Sequence, residues 1–206
     1  MITYGVDAIP FAHADLEKWR HNFTGVQYFD KKLHFLVYGA VDDIWINPAG
    51  ELIVVDYKAT AKDQKVTLDD EWKQQYKRQM EVYQWLLRQN DFKVNSTGYF
   101  VYVNGKTDRA AFDGKLDFDI TLLPYTGNDE WVPKALVGIK KCLTDDRLPE
   151  AAPNCEYCTY LNNYVDVLRA RRAAAQPEKE IDSKKPQKPK KKLKVTNQEA
   201  RLFDLL

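Results

Sequence analysis

The sequence is poor in the features that would tie a fold together covalently or anchor it in a bilayer. Its 206 residues include three cysteines. That sparse, odd number cannot all pair, so disulfides are not expected to hold the fold and a reducing compartment is expected. No run approaches the roughly eighteen apolar residues of a membrane span. The opening Met1-Ile-Thr-Tyr-Gly has neither a basic start nor an apolar core. A cytoplasmic protein without a membrane partner is the expectation.

Net charge is nearly absent too, at +1. That balance hides a segregation. Lys184, Lys185, Lys188, Lys190, Lys191, Lys192 and Lys194 form a run without an acid, leaving 24 basic against 30 acidic groups elsewhere, a net of −6. An acidic body suits carboxylates gathered around a cation, and a basic arm suits a polyanion such as DNA, although a solubilising tail has the same composition.

What is abundant is core-forming material: 44% of residues are hydrophobic and 13% aromatic, enough for one globular domain. Residues 1 to 34 show no clean period and read as a short helix near Ala14 to Arg20 followed by extended chain. Phe35 to Ile46 is β-branched and aromatic, Asn47-Pro48-Ala49-Gly50 supplies turn chemistry, and Glu51 to Tyr57 reads as the returning strand of a hairpin. Thr67-Leu68-Asp69-Asp70 resembles a capping box. The apolar recurrence Trp72, Tyr76, Met80, Tyr83, Leu87 then predicts a helix from about Asp69 to Gln89.

Further along, Thr97 to Val103 and an alternating segment from Leu116 to Leu122 read as strands. Asn128 caps a helix carrying Trp131, Ala135, Ile139 and Cys142, and a last helix runs from about Glu156 to Ala174. Hairpin strands followed by flanking helices define an α/β fold with a mixed β-sheet flanked by helices, spanning residues 1–175. Residues 176–206 have little to bury and read as a disordered Lys/Pro-rich tail.

The chemistry concentrates on the hairpin. Asp42 and Asp43 sit on its first strand and Asp56-Tyr57-Lys58 on its second. If Ile46 and Glu51 flank the turn, Asp42 falls within one residue of facing Asp56, and a bulge would bring both to one face. Asp56 and Lys58 are two residues apart and so share a face. Two carboxylates with a lysine suit phosphodiester hydrolysis assisted by Mg2+ or Mn2+. Polar strand ends and a surface ion pair are the bland alternative, but Ile53-Val54-Val55 leads directly into the charged triplet, which implies a partner for the charge.

Gly39-Ala40-Val41-Asp42, then Asp56-Tyr57-Lys58, then Gln79-Met80-Glu81-Val82-Tyr83 on the next helix, together resemble the RecB-type branch of the PD-(D/E)XK nucleases, over roughly Phe35 to Tyr160. That family includes CRISPR-associated and RecB-like exonucleases with a restriction-endonuclease-like core. The resemblance implies that Asp42, Asp56 and the Tyr57 backbone carbonyl hold the metal, that Lys58 is the catalytic lysine, and that Gln79 and Tyr83 meet the scissile strand. An i, i+4 pair does lie on one helix face, though Tyr83 also fits a plain core stripe.

Members of the family add a ligand from an upstream helix, for which His13, His21 and Glu17 are candidates, with His13 carried forward. The stretch before Asp42 is short for the family, which leaves open that an N-terminal part of the domain is missing. Cys155-Glu156-Tyr157-Cys158 resembles the end of members that hold an iron–sulfur cluster with four cysteines. With one cysteine besides this pair, Cys142 on an apolar helix stripe, a vestigial region without a cluster is expected.

The resemblance implies a DNA nuclease acting on ends or single strands in repair, recombination or defence. A nuclease-fold DNA-binding module or accessory subunit that no longer cuts, working beside a helicase, is the alternative. Gln198-Glu199-Ala200-Arg201-Leu202-Phe203 loosely resembles peptides that bind sliding clamps, with Arg201 departing from the pattern.

Overall fold

The computed structural model describes residues 2–108, 110–111 and 113–174. The tail from residue 176, its lysines 184 to 194 and the clamp-like segment 198–203 lie outside the described residues. The chain divides into two compact units, Met1–Pro149 and Glu150–Leu206.

In the first unit, β1 (Ile9–Pro10), β4 (Asp43–Ile46), β5 (Leu52–Thr60), β6 (Thr97–Gly105) and β7 (Phe118–Thr126) form one mixed sheet in that order. A separate two-stranded sheet pairs β2 (Val26–Asp30) with β3 (Phe35–Gly39). The helices are α1 (Leu16–Arg20), α2 (Gln74–Gln89) and α3 (Trp131–Thr144). The expected α/β class, a mixed sheet flanked by helices, is what the chain adopts.

The hairpin β4–β5 forms where the turn residues predict it, with Gly50 taking a positive φ of 73°. The run expected as one strand from Phe35 to Ile46 is broken, however. Val41 leaves the sheets to donate its N–H to the Trp19 carbonyl at 3.1 Å, so Phe35–Gly39 turns back on β2 while Asp43–Ile46 pairs with β5. The β2–β3 turn is itself local chemistry: Asp30 Oδ1 accepts the N–H groups of Lys32 at 2.9 Å and Leu33 at 3.0 Å.

β5 is the central strand, antiparallel to β4 and parallel to β6. Its first half, Leu52 to Val55, is buried on both faces, which explains a continuous rather than alternating apolar run. The parallel pairing requires a crossover, and α2 supplies it. One face of the sheet, with Ile44, Leu52, Val54 and Phe100, packs on Met80, Tyr83, Leu86 and Leu87 of α2 and on Val132 and Leu136 of α3. Each such side chain contributes on the order of 1.5–3 kcal/mol by leaving water. The opposite face buries Trp45, Ile53, Val55 and Val101 against Val6 and Ala8.

Two helices depart from their predicted stripes. α2 begins at Gln74 after a 3-10 turn over Glu71–Lys73, because Lys73 is drawn inward. Its side chain is 1% exposed and its ammonium pairs with Asp70 at 2.8 Å; it also donates to the Thr67 carbonyl. Trp72, expected on the apolar stripe, is consequently 55% exposed. On α3 the buried residues are Val132 and Leu136, whereas Ile139 and Cys142 are exposed.

The described part of the second unit contains α4 (Glu156–Ala174), at the limits its pattern predicts and with no buried residue.

Candidate active site

The register of the hairpin decides which carboxylate goes where. Ile46 pairs with Leu52 and Asp43 with Val55. Continued by one residue, this sets Asp42 beside Asp56, so the expected bulge is not needed. Adjacent residues point to opposite faces, and Asp42 and Asp43 part company here.

Asp43 is structural. Its Oδ1 accepts Arg20 Nη2 at 2.6 Å and the Ile44 N–H at 2.9 Å. Its Oδ2 accepts the Tyr57 hydroxyl at 2.9 Å and Trp45 Nε1 at 3.3 Å. Burial, followed by the bond to Asp43, pushes the Tyr57 phenol up to about 12. Arg20 Nε also donates to the Asp42 carbonyl at 3.1 Å, tying α1 to the start of β4.

Asp42 turns the other way. It is exposed, and its Oδ2 accepts the Tyr57 N–H at 2.9 Å. Asp56, 2% exposed, lies on the α2 face of β5. Burial pushes its carboxyl above the ordinary range, Lys58 draws it down, and Asp42 raises it again. Lys58 Nζ pairs with the buried Asp56 Oδ2. A buried carboxylate oxygen needs a positive partner, which the Lys58 ammonium supplies here, and a hard cation beside it would add a second.

α2 lays its polar edge against this pair. Gln79 Nε2 donates to the Tyr83 hydroxyl at 2.7 Å. Burial raises the Tyr83 phenol; the bond from Gln79 opposes this, and the charges of Asp56 and Asp42 add to it. Tyr83 therefore lies within electrostatic reach of both carboxylates. Two residues that the sequence does not assign to the site join them. The Tyr76 ring centroid is 4.5 Å from Lys58 Nζ. Tyr102, paired with Lys58 across the parallel ladder, has a buried hydroxyl without a hydrogen-bond partner. Burial pushes its phenol up to about 12, helped by Tyr76, Asp56 and Asp70. Its strand is read correctly from the sequence, but which strand it faces is not encoded locally.

His13 is placed elsewhere. Its Nδ1 accepts the Asp15 N–H at 3.1 Å, and its ring stacks on Trp19 at 4.5 Å and on Phe11 at 5.7 Å. Among the described residues, no group of three or more His, Cys, Asp or Glu side chains is arranged to hold a metal, so His13 does not join Asp42 and Asp56. At the start of α4, the Cys158 N–H donates to Cys155 Sγ at 3.4 Å and lowers that thiol's pKa.

Two carboxylates, one exposed and one buried, form an oxygen-only donor set that suits Mg2+ or Mn2+, ions that keep several waters and need few protein ligands.

The sheet order and the crossover helix agree with comparison against known families: the model of the PD-(D/E)XK nuclease superfamily matches residues 7–162. The chain belongs to that superfamily, and so to the metal-dependent nucleases that hydrolyse phosphodiester bonds of nucleic acid. No curated protein and no solved structure matched it. No helix among the described residues is long and apolar enough to cross a membrane.

Proposed function

We propose that the protein is a magnesium-dependent deoxyribonuclease of the RecB-type branch, acting on DNA ends or single strands in repair, recombination or defence. The observation that carries this is the convergence of Asp42, Asp56 and Lys58 beside the Gln79–Tyr83 pair, with the buried Asp56 carboxylate paired to the Lys58 ammonium.

In this reading Asp42, Asp56 and the Tyr57 carbonyl hold the cation, which when bound supplies Lewis-acid stabilisation of charge building on the phosphate. Asp56 holds the Lys58 ammonium in place, and Lys58 orients the attacking water by donating to it. Gln79 and Tyr83 donate to non-bridging phosphate oxygens and fix the scissile group. Lysines 184 to 194 add sequence-independent attraction to the backbone.

The test is incubation of purified protein with end-labelled single-stranded and duplex DNA, with Mg2+, Mn2+ or chelator. Metal-dependent shortening of the label gives substrate and polarity together. Intact DNA in every metal would sink the proposal.

One observation favours a second reading, a DNA-binding module or accessory subunit that no longer cuts: no third His, Cys, Asp or Glu joins the two carboxylates among the described residues. Binding without cleavage in the same assay would select it. A helicase or a sliding clamp is the partner such a module would serve; co-purification with either tests this.

A further inference from the structure

A tryptophan more than half exposed, on a turn that is itself held rigid, needs an explanation. Trp72 is 55% exposed and belongs to the 3-10 turn Glu71–Lys73 that leads into α2. That turn is fixed from beneath. Lys73 is fully buried and its ammonium is held by Asp70 at 2.8 Å and by the Thr67 carbonyl, while the ammonium lies 5.2 Å from the centre of the Trp72 ring. The tryptophan is presented to solvent by a scaffold, not left on a loose loop.

Its neighbour ties it to the chemistry. Trp72 meets Tyr76 edge to face, with centroids 5.5 Å apart at 79°, and the Tyr76 ring stands 4.5 Å from Lys58 Nζ. Two aromatic rings thus lead from the lysine that borders Asp56 out to solvent. Cations stand at both ends of this path: Lys58 faces the Tyr76 ring, and Lys62 acts electrostatically on Asp70, the residue that holds Lys73 beneath Trp72.

An exposed aromatic ring with lysines beside it is an arrangement that holds single strands, because every unpaired base offers a π-face and the phosphates follow the cations. A base within a duplex is already stacked on both sides and cannot use such a ring. Building on the nuclease reading of the site, we propose that Trp72, backed by Tyr76, is a stacking platform for an unpaired base about one nucleotide from the phosphate at Lys58, selecting single-stranded DNA. The held turn and the Tyr76 ring set where the platform stands, which lowers the ordering cost when the base arrives.

The test measures binding of the full chain in chelator, so that no strand is cut. The probes are a fluorescein-labelled oligothymidine, the same strand with one abasic site scanned along it, and the corresponding duplex. Trp72→Ala should weaken binding of the intact strand roughly tenfold or more. Trp72→Tyr should retain most of the affinity. At one abasic position the wild type should lose affinity by a similar factor, and Trp72→Ala should lose none further, since the base and its ring are then both missing. Duplex binding should not change. If Trp72→Ala binds every probe as the wild type does, weakens all probes equally, or if the wild type shows no single-strand binding, the platform is overturned. Cleavage with Mg2+ by the wild type judges the nuclease reading separately: a protein that binds with this coupling and never cuts keeps the platform and loses the nuclease reading, and one that cuts without this coupling keeps the nuclease reading and loses the platform.

Discussion

The Tyr83 ring occupies the place where a side chain on Gly39 would stand. A Cβ built on Gly39 would lie 2.7 Å from Tyr83 Cε1 and 3.1 Å from Cδ1, closer than packed carbon atoms tolerate. The glycine that ends β3 and the tyrosine of α2 are therefore one device. Gly39→Ala should displace the ring and with it the hydroxyl that Gln79 holds, costing about 1–3 kcal/mol of stability and slowing cleavage further. Urea melts and cleavage rates on the same preparation check both. Wild-type values in each would show that the ring has room to give.

Tyr83→Phe separates chemistry from packing. The ring stays, and the lost hydroxyl removes one hydrogen bond worth about 1 kcal/mol or less. Cleavage should fall by roughly tenfold or more if that hydroxyl donates to the phosphate. A variant whose cleavage falls no further than its folded fraction would return Tyr83 to the core alone.

Asp56→Asn and Lys58→Ala should fail in different ways. The first keeps shape but removes a charge, so calorimetric titration with Mn2+ should show weakened binding, and cleavage should fall by roughly a hundredfold or more. The second should abolish cleavage while Mn2+ still binds, because the lysine is not a ligand. Either variant cutting at the wild-type rate would displace the active site from this hairpin.

Much of this was legible because it is local. The parity of Asp56 and Lys58, the turn at Asn47 to Gly50 and the helix carrying Gln79 and Tyr83 follow from periods of two and of three to four residues. What was not legible depends on partners distant in sequence. The bond from Val41 to Trp19 splits the expected first strand. The parallel register brings Tyr102 beside Lys58. The burial of Lys73 turns Trp72 outward against its apolar character. His13 sits beside aromatic neighbours that include Phe92, far along the chain.

The same helix carries an anchor with no part in the chemistry. Glu81 is 8% exposed, and its Oε1 accepts the Tyr125 hydroxyl at 2.6 Å and the Asn128 N–H at 3.2 Å. Its Oε2 accepts Trp131 Nε1 at 2.6 Å. Glu81→Ala leaves three donors without an acceptor and should cost about 3 kcal/mol, read from chemical denaturation. A change within about 0.5 kcal/mol, the usual range for surface sites, would mean that water replaces the carboxylate.

Stability should also depend on pH through Asp70. Its bond to Lys73 holds its carboxyl below the ordinary range. A depressed acid stabilises the fold above its unfolded pKa, and that contribution is lost as pH falls through the folded value. Asp70→Asn should therefore melt below the wild type at neutral pH, with the gap closing as pH drops past the carboxylate range. A gap that stays constant with pH would assign the effect to shape, not charge.

Tyr57 works as a crossbar through the sheet. Its backbone N–H grips Asp42 on one side while its hydroxyl grips Asp43 on the other, and Asp43 in turn is clamped by Arg20 of α1. The position of Asp42 is thus set from both faces at once. A shift of α1 would travel through Arg20, Asp43 and Tyr57 and arrive as a change of aim at Asp42. The carboxylate nearest solvent can be steered by a helix that need never touch nucleic acid.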